Sequence, residues 1–63
     1  MRKISLKAAR VDANLTLAEV VKKVKIGKNT LINYEKGRTY PDIETAKRLA
    51  SLYDRPIDDI KFF

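Results

Sequence analysis

The sequence predicts an all-α fold, a compact bundle of five short helices. Three observations lead there. Apolar residues recur at helical spacing along most of the chain. Residues that favour helix starts and stops punctuate those runs. No strand-like alternation lasts more than a few residues. The 63 residues are enough for one domain, residues 1–63. A core of that size is worth about 3–5 kcal/mol.

Helix 1 is expected over residues 3–13. Leu6, Ala9, Arg10 and Ala13 share one face, and Asn14 tolerates the left-handed backbone that ends helices. Thr16 to Glu19 reads as a capping box that opens helix 2. Helix 2 runs to about Val24, with Val20, Val21 and Val24 inward. Three β-branched residues make it a poor helix by propensity, so packing must compensate. Lys25, Ile26 and Gly27 break the period. Helix 3 follows from Lys28 to Lys36, and Gly37 closes it as a left-handed cap. About three residues between helices 2 and 3 is the connection length of a helix-turn-helix, whose second helix can enter a DNA major groove.

Pro41 disfavours helical backbone at Tyr40, so 38–41 is a loop. Asp42 caps helix 4, with Glu44 well placed against the helix dipole. Ile43, Ala46, Leu49, Ala50 and Tyr53 form its expected buried stripe. Pro56 stands near the first turn of a short helix 5, with Ile57 and Ile60 inward.

Composition narrows the function. There is no Cys and no His, which removes disulfides, Cys/His metal sites and most nucleophile–base pairs. No cofactor, metal or catalytic role is expected. The net charge is +6, unevenly placed. Residues 1–40 hold ten basic residues against three acids, a balance of +7, whereas residues 41–63 balance at −1. A one-sided basic surface suits a polyanion, although a solvated lysine-rich face would look the same. No apolar run approaches the ~20 residues of a membrane span, and Lys7 and Arg10 interrupt any export signal. The expected location is the cytoplasm.

The stretch from Leu15 through Lys22, Lys23 and Val24 to Tyr34-Glu35-Lys36-Gly37, then Tyr40-Pro41-Asp42, resembles the Cro/lambda-repressor-type helix-turn-helix family. Leu49-Ala50, Tyr53 and Ile57-Asp58-Asp59-Ile60 look like that family's last two helices. The most specific element is the set Leu31, Tyr34, Glu35, Gly37 and Pro41 at this spacing. The resemblance implies a five-helix bundle, a phage or prophage repressor or Cro-like protein in a bacterial host cell, that represses transcription by binding double-stranded DNA as a homodimer on a near-palindromic operator. By position it assigns base reading to Lys28, Asn29, Ile32 and Asn33, with Leu31 on the buried side. It also implies an ion pair between Arg10 and Glu35, with Arg10 near a phosphate.

The chain departs from the family pattern at four places. Leu17 stands where a phosphate-binding Gln is usual, Val21 where Ala is, Lys25 where the turn Gly is, and Gly27 where a Ser or Thr cap is. Lys25 must then adopt positive φ, or the turn differs.

The residue types suit these assignments. An Asn side chain can give and accept one hydrogen bond to adenine N6 and N7, and Lys can donate to guanine O6 and N7. Ile32, apolar among polar neighbours, would meet thymine methyl groups. Phosphate contacts fall to Thr16 and the Leu17 backbone, to Lys36, Arg38, Thr39 and Tyr40, and to Arg10. An Arg on a buried stripe calls for a partner. Ile57, Phe62 and Phe63 are candidates for a dimer contact, although the Phe residues could simply cover the core. A competing function is an antitoxin-type protein whose main partner is another protein. Such a protein needs a binding tail, for which this length leaves no room. A membrane-surface peptide would need a broad apolar face, which helix 3 lacks.

Overall fold

The computed structural model describes residues 3–62. The elements in order are β1 (Ile4–Ser5), α1 (Leu6–Asp12), α2 (Leu17–Val24), α3 (Lys28–Glu35), α4 (Ile43–Leu52), a 3-10 turn (Ile57–Asp59) and β2 (Ile60–Lys61). The bundle therefore has four α-helices among the described residues, not five.

The fifth helix fails for local reasons. Pro56 is extended at φ −62°, ψ 147°, and only one tight turn follows before Ile60 returns to extended backbone. Two adjacent Asp residues and β-branched neighbours give little helix propensity, and so short a segment cannot repay helix nucleation. Its backbone finds a better partner in β1. The two strands pair in parallel, Ile4 with Ile60 and Ser5 with Lys61. Helix 1 also starts later than expected, because the Ser5 hydroxyl accepts from the Ala8 N–H at 3.0 Å and sets the cap there.

The remaining caps follow the residues. Thr16 and Glu19 form a reciprocal box. The Thr16 hydroxyl accepts from the Glu19 N–H at 3.2 Å, and the Thr16 N–H donates to the Glu19 carboxylate at 2.9 Å. That donated bond holds Glu19 below the usual carboxylate pKa. Asp42 caps α4 by accepting from the Thr45 N–H at 3.2 Å. Lys25 takes the left-handed conformation at φ 62°, ψ 49°, which costs a non-glycine residue about 1 kcal/mol or more.

The core gathers Leu6 and Ala9 of α1, Val20 and Val24 of α2, Leu31 of α3, Leu49 and Ala50 of α4, Tyr53 and Ile60. Ile43 is not part of it. As the first residue of α4 it projects beyond the core and is 65% exposed. Ile57 is half-buried against the core, and Phe62 packs there too. Phe63 lies outside the described residues. No helix among them is long and apolar enough to cross a membrane.

Tyr53 is buried, and its hydroxyl has no hydrogen-bond partner among the described residues. Burial, reinforced by the nearby Glu35 charge and opposed by Arg10, pushes its pKa from 10.0 to about 12. The folded form thus keeps a proton that the unfolded chain releases. This contribution to stability is complete below pH 10 and fades as pH rises toward 12. Tyr53→Phe should therefore match or exceed the parent at neutral pH, by up to about 1 kcal/mol, and lose this alkaline dependence. Urea melts at neutral and alkaline pH check it; a neutral-pH loss above about 1 kcal/mol would show that the hydroxyl is hydrogen-bonded after all.

Candidate nucleic-acid interface

α3 is anchored from behind and open in front. Leu31 is fully buried against α1, α2 and α4 residues of the core. Lys28 and Asn29 are exposed, while Ile32 and Asn33 are half-buried on the same helix. The four residues that the sequence nominates for base reading therefore keep accessible surface, and the helix holding them has a fixed register. Gly27 caps α3 with no side-chain bond, so the first turn keeps its N–H groups uncapped by that residue.

Around α3 lies a set of donors. Lys36, Arg38, Thr39 and Tyr40 are all exposed and follow the helix directly. At the start of α2, Thr16 is exposed and Leu17 is half-buried. The capping box uses the Thr16 N–H internally. The next N–H groups, of Leu17 and Ala18, have no acceptor among the described residues, as the geometry of a helix start dictates. Leu17 thus offers a backbone donor and no side-chain donor.

Arg10 faces inward. Its Nε donates to Glu35 Oε2 at 2.7 Å, and Nη2 reaches Oε1 at 3.5 Å. Nη1 donates to the Leu15 carbonyl at 3.0 Å. The two side chains are only 11% and 8% exposed. One guanidinium thereby ties α1 to the end of α3 and to the loop before α2. Its value for a phosphate is correspondingly small, since most of its donors are already used.

A shallow concavity of about 300 Å³ joins these parts. Lys7, Arg10, Leu17, Ile32, Glu35 and Lys36 line it. Lys7 is the residue that sequence reasoning passed over. Its only signal was its place one turn before Arg10, and its nearness to α3 depends on how α1 packs. No group of His, Cys, Asp and Glu among the described residues could hold a metal.

The connection between α2 and α3 is three residues, with Lys25 left-handed and its N–H donating to the Val21 carbonyl at 2.9 Å. A family model described as Helix-turn-helix matches residues 6–60. The chain belongs to this helix-turn-helix family. Among helix-turn-helix proteins it resembles the Cro/lambda-repressor-type transcriptional regulators, a DNA-binding and non-catalytic class.

Three curated relatives of this helix-turn-helix chain span distant organisms. It is 41% identical over 51 residues to the cryptic phage CTXphi transcriptional repressor RstR of Vibrio cholerae, covering 81% of this chain and 46% of the relative. It is 42% identical over 53 residues to the HTH-type transcriptional regulator ImmR of Bacillus subtilis, covering 84% and 42%. An uncharacterized HTH-type transcriptional regulator of Archaeoglobus fulgidus is 31% identical over 58 residues, covering 92% and 82%. The chain thus spans less than half the length of the first two. No solved structure matches.

Proposed function

We propose that this helix-turn-helix domain reads an operator half-site in double-stranded DNA and acts in repression, as the relative from Vibrio cholerae is named to do. One observation carries the reading. The polar face of α3 is open, its back is locked by Leu31, and exposed polar and basic residues flank it on both sides. Lys28, Asn29, Ile32 and Asn33 enter the major groove and meet base edges. Thr16, the Leu17 N–H, Lys36, Arg38, Thr39 and Tyr40 hold phosphates, with Lys7 added to them. Arg10 serves mainly by fixing α1 against α3.

Two copies read a near-palindrome, with half-site centres roughly 34 Å apart. The exposed part of Ile57 is the candidate contact between them. Phe62, packed on its own core, has less to offer a partner.

Selection of bound sites from random duplexes tests this. The expected outcome is a two-fold-related motif at one fixed spacing. Recovery of no motif would remove the base-reading role, and a single unpaired half-site would remove the dimer. A second measurement addresses the phosphate contacts. Lys36→Ala with Arg38→Ala should weaken binding on all sequences alike and flatten the salt slope by about 2. An unchanged slope means that these two side chains do not meet phosphate.

A further inference from the structure

Away from α3, the end of α2 and one side of α4 form an open groove of about 670 Å³. Lys23, Lys25, Lys47, Arg48 and one acid, Glu44, line it with Ser51, and Val24 and Leu52 supply its apolar part. Arg48 is paired with Glu44 at 3.2 Å. Lys23, Lys25 and Lys47 make no ion pair among the described residues. The groove shares no residue with the concavity beside α3. It sits at the opposite end of α2 from Thr16, where phosphates are expected.

The same molecule carries the complementary surface. Asp54, Asp58 and Asp59 fall within six residues and make no ion pair among the described residues. Asp54 and Asp58 are exposed, and half-buried Ile57 lies between them in the chain. One surface is apolar in part and mainly basic in its charge. The other is an aliphatic residue flanked by acids. We propose that the groove of one copy takes the Asp54–Asp59 corner of a second copy. Lysines of the groove meet the carboxylates, and Ile57 approaches Val24 and Leu52. A partly apolar groove suits this occupant better than a sugar–phosphate backbone, which carries no aliphatic anchor.

The contact joins two different patches, so it is head-to-tail and leaves a groove and a corner free for the next copy. It requires no DNA, and it stands or falls separately from the reading of α3. It uses the same Ile57 as the two-fold contact on an operator, so it belongs to copies that are free of DNA.

Sedimentation of the whole chain without DNA tests it. The parent should self-associate with rising concentration at low ionic strength, and salt should weaken this by screening. Lys23→Glu with Lys47→Glu should weaken association by roughly fivefold or more, and Asp58→Lys with Asp59→Lys should do the same. An equimolar mixture of the two variants should associate again, because an acidic groove now meets a basic corner. Circular-dichroism melts establish that both fold, and Lys23→Gln with Lys47→Gln gives a milder groove variant with the same expected loss. A parent that stays monomeric at every concentration overturns the proposal. So do folded variants that associate like the parent, or a mixture that stays apart.

Discussion

Arg10→Met is expected to destabilise the fold by about 3–5 kcal/mol, because removing one member of a buried pair strands the other. Glu35 would be left at 8% exposure with no cation beside it, and the Leu15 carbonyl would lose its donor. The loss is comparable to the whole stability of a domain this small, so the variant should be largely unfolded at room temperature. Removing the charge together with its partner separates the causes. Arg10→Met with Glu35→Leu replaces the pair by apolar groups and should recover most of the loss, since such replacements are often neutral or better. Urea unfolding of the single and double variants measures both. A single-variant loss below about 1 kcal/mol would mean that the pair holds little of the structure together.

The largest effect on recognition is expected at Asn33. Asn33→Ala should cost about 1–3 kcal/mol on the selected operator and relax preference at one base pair. Its backbone role is untouched, because the Arg38 N–H bonds to the Asn33 carbonyl and not to its side chain. Non-specific binding should stay where it was, since phosphate contacts supply it. Titrations on operator and on unrelated duplex give the comparison. Equal losses on both would assign Asn33 to general adhesion and not to base reading.

Much of the fold was legible because local chemistry decided it. The Thr16–Glu19 box, the Asp42 cap and Gly37 at φ 74° mark ends with no help from the rest of the chain. Lys25 illustrates the same point, since the short turn leaves it only a left-handed conformation. What could not be read depends on distant partners. Ile4–Ser5 and Ile60–Lys61 are two residues each, too short for any periodicity, and they become strands only because they meet. Pro56 signals the start of a helix and of a 3-10 turn equally well. Ile43 has the right spacing for the stripe, yet spacing does not say where the core ends.

The candidate site divides in the same way. Which side of α3 faces out follows from its period once Leu31 is placed inward. That Lys7 joins Leu17, Ile32 and Lys36 follows only from the packing of α1 beside α3. The sharing of the Arg10 donors between Glu35 and a loop carbonyl likewise follows only from how α1, α3 and the loop before α2 pack.

The short parallel ladder sets an order of events. Ile4 and Ile60 are separated by almost the entire chain, so their meeting closes a very long loop and bears a large closure entropy. Contacts among α1 to α4 are nearer in sequence and form at lower entropic expense. The ladder is thus a latch that fastens after the helices have assembled and springs first when they loosen. Its amides should trade hydrogen with solvent ahead of those in α2 and α4.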